Sequence, residues 1–255
     1  MLQKIIDTHS HYDAEHFNED RQEVIENLFK NGISAVIHAS TDINSALFGL
    51  EMANKYPNFY TSIGLHPENT DFITDDYLEK FEEIAKSSKK VVAVGEIGLD
   101  YHYEGYDKDL QIKIFKEQLE LAKKLDLPVI VHCRDATADC LEILKEYKPR
   151  GVMHCYSGSV ETAKELLDLG MYISLTGVLT FKNSKKAVEV LKMLPRDRFM
   201  LETDCPYMSP EPLRGKRCDS SMLVHSAKKA SEIWGVTYDE LVAQTEQNAK
   251  TLFGI

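Results

Sequence analysis

No C-x-x-C pair occurs in this chain, and its five cysteines (Cys133, Cys140, Cys155, Cys205 and Cys218) are an odd number. That excludes a disulfide framework and a structural zinc ribbon. The cysteines read as reduced thiols, and strand alternation is expected to turn Cys133, Cys155 and Cys205 away from the polar residues they follow. No apolar run approaches membrane-spanning length, and the first residues lack the basic region, apolar stretch and small-residue cleavage site of a leader. The expected address is therefore cytoplasmic. Glycine-rich phosphate loops of the P-loop and Rossmann types are missing too, which leaves nucleotide-driven transfer and hydride transfer without a motif. Positive charge is also scarce: 41 acids against 30 bases give a net charge of −11, which disfavours coating of duplex DNA by bulk electrostatics. The imbalance is local. Residues 1–127 carry 24 acids and 13 bases, and residues 128–255 carry 17 of each. Any anion-binding surface therefore belongs to the C-terminal half, where Phe181-Lys182 and Leu213-Arg214-Gly215-Lys216-Arg217 lie. A short basic run of this kind is equally what a solvated loop looks like.

What the chain does have is an end-to-end alternation of short β-branched runs with longer stretches of helical period, unbroken by a Pro/Gly/Ser linker. Strands are expected near 5–8, 35–39, 59–64, 91–95, 129–132, 152–155, 172–175 and 199–203. Helices are expected near 20–31, 44–55, 75–87, 107–125, 136–146, 160–169, 184–194, 222–234 and 238–251. Thr237 followed by Glu240 is a capping box for the last helix. Eight strands in a βα repeat is the closing number of a (β/α)8 TIM barrel. A length of 255 residues suits one such domain spanning 1–255.

Active sites of such barrels gather at the C-terminal ends of the strands, and polar residues fall there repeatedly. Strand 1 ends in His9 and His11, two residues apart and so on one face. Strand 2 ends in His38, strand 3 in His66, strand 4 in Glu96, strand 5 in His132, strand 6 in His154, and strand 8 in Glu202-Thr203-Asp204. Six of the nine histidines are placed this way, which a random scatter would rarely produce. His38 and Glu202 have ordinary readings as a hydrogen-bonded histidine and a paired acid. The crowd of imidazoles and carboxylates at one mouth is explained most economically by a cation at its centre. His9, His11, Glu96, His132, His154 and Asp204 are more ligands than one closed tetrahedral ion needs. The surplus points to two divalent ions bridged by Glu96, a hydrolytic arrangement. Zinc, manganese and nickel suit the histidines, and magnesium the oxygens.

Six segments together resemble the TatD family of metal-dependent deoxyribonucleases over almost the whole chain. They are Ile6-Asp7-Thr8-His9-Ser10-His11, Gly64-Leu65-His66-Pro67, Gly95-Glu96-Ile97-Gly98-Leu99-Asp100-Tyr101, Pro128-Val129-Ile130-Val131-His132-Cys133-Arg134, His154-Cys155-Tyr156-Ser157-Gly158 and Leu201-Glu202-Thr203-Asp204-Cys205-Pro206. The resemblance implies a TIM-barrel hydrolase in which the six residues above hold the metal. It also implies that His66 and Arg134 contact substrate phosphate and that Arg214, Lys216 and Arg217 lie by the site. One departure is visible: where the family often continues with Asn-Glu-Pro, this chain has Cys218-Asp219-Ser220. A lost amide and a lost proline are expected to alter that loop.

The expected activity is hydrolysis of DNA phosphodiesters, with Asp204 as ligand and proton acceptor and Glu96 as the bridge. Family behaviour implies 3′-5′ exonuclease action. A site at a barrel mouth favours single-stranded or frayed ends, with Tyr101 and Tyr156 as possible stacking partners for bases. The alternative is a D-aminoacyl-tRNA deacylase or another metal-dependent ester or amide hydrolase. A monomer without an obligate protein partner or a membrane is expected.

Overall fold

A computed structural model describes residues 5–255, without the side chain of Phe72. The first four residues, which bear on the leader question and the start of the domain, lie outside the described residues. Eight parallel strands form one sheet in sequential order: β1 (Ile5–Ser10), β2 (Ile33–His38), β3 (Phe59–Ile63), β4 (Val91–Asp100), β5 (Val129–Arg134), β6 (Gly151–Met153), β7 (Tyr172–Leu175) and β8 (Phe199–Leu201). A parallel bridge between Ser10 and Cys205 joins the last strand's exit to the first. The result is the expected (β/α)8 barrel.

Around it, the described residues form α1 (Arg21–Lys30), α2 (Ile43–Lys55), α3 (Tyr77–Ser87), α4 (Lys108–Leu125), α5 (Thr137–Tyr147), α6 (Val160–Asp168), α7 (Lys185–Met193), α8 (Leu223–Trp234) and α9 (Tyr238–Phe253). Strand residues such as Val36, Phe59, Ile63 and Val94 pack outward against helix residues such as Ile25, Phe81, Phe115 and Leu144. Each fully buried side chain of this size stabilises the fold by about 1.5–3 kcal/mol. A second apolar cluster collects Ile6, Ile37, Ile130, Val152 and Met200 with Ala249, Leu252 and Phe253 of α9. Asn248 of that helix donates to the carbonyls of Phe199 and Arg196 at 2.7 and 2.8 Å. The last helix therefore lies against the entry to β8, and the opposite end of the barrel is left for chemistry. The capping box at Thr237 and Glu240 forms as expected and starts that helix.

Strand lengths depart from the sequence expectation where it matters for the site. β4 continues to Asp100 because it stays paired with β5 from Ile97–Val131 to Asp100–Arg134. Gly98, past the expected end of the strand, sits at φ +147°, where an added Cβ would lie 1.9 Å from the His132 carbonyl oxygen. The glycine is there for close approach. β6 and β8 stop early, so His154, Glu202 and Asp204 stand just beyond their strands. No helix among the described residues is long and apolar enough to cross a membrane.

Candidate metal centre

His9 and His11 leave β1 with their Nε2 atoms 3.0 Å apart. Asp204 joins them because the seam between β8 and β1 is stitched by backbone bonds, Asp204 N–H to the His9 carbonyl at 3.0 Å and His11 N–H to the Cys205 carbonyl at 2.8 Å. Asp204 holds φ +60° at this junction, an uncommon conformation for a residue with a side chain. Its Oδ1 lies 3.6 Å from His9 Nε2 and 3.3 Å from His11 Nε2. Glu96, buried in β4, presents Oε2 to these same nitrogens at 3.2 and 3.4 Å. Its other oxygen, Oε1, faces a second group: His154 Nε2 at 2.8 Å, His132 Nδ1 at 2.9 Å and His66 Nε2 at 3.4 Å. All six residues expected as ligands are brought together, and one carboxylate has an oxygen turned toward each half.

The donor set fits divalent cations. Bonds of about 2.0–2.1 Å to a tetrahedral ion set its donors roughly 3.3 Å from one another; the separations in the His9/His11 half, 3.0–3.6 Å, bracket that value, and those among Glu96, His132 and His154, 2.8–3.2 Å, lie a little under it. Two imidazole nitrogens facing each other at 3.0 Å need a proton or a cation between them. Histidine and carboxylate donors without sulfur match the ions named from the sequence.

Surrounding groups orient these side chains. Asp100 Oδ2 lies 2.9 Å from His132 Nε2; accepting the ring proton there leaves the Nδ1 lone pair toward Glu96 and the centre. Glu202 accepts from the Cys155 backbone N–H and from Ser174 Oγ, and stands 3.6 Å from His154 Nδ1. His38 lies 3.2 Å from Ser45 Oγ, which donates to Asp13 at 2.6 Å, so it is the hydrogen-bonded histidine its ordinary reading suggested. His66 behaves differently from the ligands. Its Nδ1 accepts the Glu68 N–H at 3.2 Å, which puts the proton of the neutral ring on Nε2 and makes that atom a donor.

Electrostatics follow from this crowding. Burial would raise Glu96, but the His154, His9 and His66 imidazoles hold it well below the usual carboxylate range. Burial likewise opposes ionisation of Asp204, and the hydrogen bond with His11 and the nearby His9 and His154 keep it low. His9 is lowered by burial and by His154, whose ring stacks on it at 3.9 Å. Against burial, Asp204 and Glu96 raise His11 to about 9, and Asp100 and Glu96 raise His132 to about 9. The surrounding imidazoles thus favour the ionised form of both carboxylates, and the carboxylates in turn favour the protonated form of His11 and His132.

Above the cluster opens a cavity of about 1070 Å³ lined by His11, Glu96, His132, His154 and Asp204. His66 and Arg134, expected at the substrate, both line it. Arg214, Lys216 and Arg217 are not among its lining residues. Arg217 makes a two-pronged ion pair with Asp20 at 2.7 Å per bond and lies over the Phe17 ring, so it fastens its loop to the start of α1. Arg214 lies 4.3 Å over Phe181. The departing segment is anchored too: Ser220 Oγ donates to Asp7 at 2.6 Å and the Ser220 N–H donates to Tyr12 at 3.0 Å.

Residues not anticipated from sequence also line the cavity, among them Lys185 and Lys186 at the start of α7, Tyr103 and Tyr207. Adjacent lysines in the first turn oppose the helix dipole, a signal readable in the sequence. The stacking role expected for Tyr101 and Tyr156 meets a different geometry. Tyr101 stacks on Tyr106 at 4.7 Å and donates to Asp139, while Tyr156 lines the cavity but is largely buried and donates to the Ser159 carbonyl. Cys133 turns away as expected, its thiol toward Cys140 and Thr137 of α5 and the outer core. Cys155 lines the cavity instead; it sits past the end of β6 at φ +43°, where strand alternation no longer applies.

A parallel eight-stranded barrel with a histidine and carboxylate cluster at its C-terminal mouth defines a metal-dependent hydrolase of the barrel class. The chain belongs to the TatD-related DNase family, whose model, "TatD related DNase", matches residues 6–254. It is 40% identical over 254 residues to the uncharacterized metal-dependent hydrolase YabD of Bacillus subtilis, covering 98% of this chain and 99% of that protein. It is 31% identical to the 3′-5′ ssDNA/RNA exonuclease TatD of Citrobacter koseri, covering 94% and 95%. Among solved structures, the TatD homologue YJJV of Escherichia coli K12 superposes with a TM-score of 0.94 at 30% identity, covering 100% of both chains. The family, the metal-dependent hydrolase class and the barrel read from the sequence all stand.

Proposed function

We propose that this protein is a metal-dependent deoxyribonuclease that shortens single-stranded or frayed DNA from the 3′ end. The observation that carries the reading is the division of Glu96 between two groups, Oε2 toward His9, His11 and Asp204 and Oε1 toward His132 and His154. That division lies beneath a cavity walled by Arg134, Lys185 and Lys186. When bound by these six residues, one ion in each half would supply Lewis acidity and a nucleophile at neutral pH.

The protein's own groups do the rest. Asp204, ionised and at the mouth, accepts the proton of the attacking water. Arg134 and the Nε2–H of His66 donate to the non-bridging phosphate oxygens, and the two lysines offer charge to a neighbouring phosphate. The name of the Citrobacter relative supports the nuclease reading over the deacylase alternative.

The test is a cleavage assay on single-stranded, duplex and RNA oligonucleotides labelled at either end, with a D-aminoacyl-tRNA arm, across a series of divalent ions. Prolonged chelation is expected to abolish cleavage and an added ion to restore it. Asp204→Asn is expected to lose at least about 100-fold in kcat while melting close to the parent. Full activity after chelation, or in Asp204→Asn, overturns the assignment, and turnover confined to D-aminoacyl-tRNA replaces it with the deacylase.

A further inference from the structure

Large apolar side chains exposed on the surface are few among the described residues: Leu47, Tyr103, Tyr106, Tyr207 and Met208. Three of these five, Tyr103, Tyr207 and Met208, line the cavity over the candidate metal centre. Tyr106 is accounted for by its stack on Tyr101. Tyr103 is 56% exposed and Tyr207 52%, so neither ring is there to fill the core. Scattered exposed apolar residues need no explanation, but a concentration at one mouth does.

Both rings are tied by short, hydrogen-bonded segments to the residues of the centre. Tyr207 is three residues after Asp204, and its N–H donates to the Asp204 carbonyl at 3.0 Å, closing a tight turn. The His16 ring meets it edge-on at 5.8 Å. Tyr103 is three residues after Asp100, the acid that holds His132. That segment is pinned by His102 N–H to Asp100 at 2.8 Å and Tyr101 N–H to the Arg134 carbonyl at 2.9 Å. The Arg134 guanidinium stands 5.2 Å over the Tyr103 ring and donates to its hydroxyl at 3.4 Å. Tyr207 thus extends from the His9/His11 half and Tyr103 from the His132 half. Each is an exposed π-face fixed relative to the point where a phosphodiester would be cut.

We propose that Tyr103 and Tyr207 form a stacking subsite for the unpaired bases flanking the scissile phosphate. The subsite rests on the nuclease reading above. Base–aromatic stacking tolerates any base because every base has a π-face, so the subsite selects for unpaired ends rather than for sequence. A paired terminus would have to unstack before its bases could reach the rings. Arg134 links the two functions, holding phosphate with its donors while its plane rests on Tyr103.

The test is a fluorescence titration of the metal-loaded protein with a single-stranded oligonucleotide carrying 2-aminopurine at its 3′ end and hydrolysis-resistant phosphorothioate linkages. Parallel assays follow cleavage of the unmodified strand. Stacking quenches 2-aminopurine, so the parent is expected to quench it on binding. Tyr103→Ala and Tyr207→Ala are each expected to lose much of the quench, with Kd and KM rising about tenfold and kcat changing far less. Tyr103→Phe and Tyr207→Phe keep the ring and are expected to stay within about twofold of the parent, which separates stacking from a defect in folding. If the parent cleaves single-stranded DNA and both alanine variants quench and bind as it does, the subsite is overturned and the nuclease reading stands. If the parent neither binds nor cleaves DNA with any ion, the nuclease reading falls and the subsite falls with it.

Discussion

Asp100 is a single residue outside the proposed ligand set that orients one of its members. Its carboxylate accepts a hydrogen bond from His132 Nε2–H at 2.9 Å and the His102 N–H at 2.8 Å, and so sets which nitrogen of His132 carries a lone pair. Asp100→Asn can keep the bond from His102 but offers N–H or a weaker acceptor to the ring. It is expected to lower metal affinity or activity by about 10–100-fold, read by metal titration beside steady-state kinetics. Parent-like metal binding would remove Asp100 from that role. The sequence displays Asp100 within a motif but cannot show what it touches, because its partner is 32 residues away on the next strand. Glu202 reads from the sequence as an acid paired with a neighbouring base, whereas it accepts from neutral donors, with His154 Nδ1 3.6 Å away. Its partners, the Cys155 N–H and Ser174 Oγ, became known only from the fold. The direction of His66 likewise depends on a tautomer set by the Glu68 N–H, which spacing does not encode.

Among the elements, the loop after β8 is held by backbone bonds of its own, such as Cys218 N–H to the Pro206 carbonyl at 3.0 Å, and by contacts with the start of the chain. The two bonds from Arg217 to Asp20 tie it to the entry of α1, and Ser220 ties it to Asp7, whose own pKa burial pushes up to about 7 despite those bonds. The hydrogen bond from Arg217 lowers the Asp20 pKa. A carboxylate depressed in the folded state contributes stability that is present above its unfolded pKa and is lost as pH falls through the folded one. The pair is partly exposed, so it is worth at most about 1 kcal/mol. Asp20→Asn is therefore expected to lower Tm by no more than about 4 °C at pH 7 and low salt. The difference should shrink in high salt and below about pH 4. Calorimetry across pH and salt checks it, and a difference that grows on acidification would contradict the sign. Elements of strong period, such as the helix behind the Thr237 capping box, were legible almost to their ends. The extension of β4 beyond Gly95 and through Gly98 was not, because a glycine that ends a strand and one that lets two strands approach look alike in one dimension.

For the whole molecule, the buried cluster is expected to couple folding to metal binding. Glu96 and Asp204 are ionised among four closely placed imidazoles, and ligands that bind only the folded state stabilise it by mass action, about 2.7 kcal/mol at a hundredfold excess over Kd. A saturating ion is expected to raise Tm by about 5–10 °C over the chelated protein. Scanning calorimetry with and without chelator reads this, and superimposable transitions would argue against ion binding in the cluster. By itself the sequence determined the barrel, the family and the six residues that converge. The barrel and the converging residues depend on local period and on the ends of strands in a repeating βα order, and the family on the six motifs that resemble it. The tertiary structure alone decided that Glu96 turns one oxygen to each half, that Asp100 and Glu202 stand behind His132 and His154, and that Arg217 faces Asp20. It also placed Tyr103, Tyr207, Lys185 and Lys186 around the cavity. These facts depend on the closure of β8 against β1 and on the directions of side chains across strands, which arise only when residues far apart in the chain share one mouth.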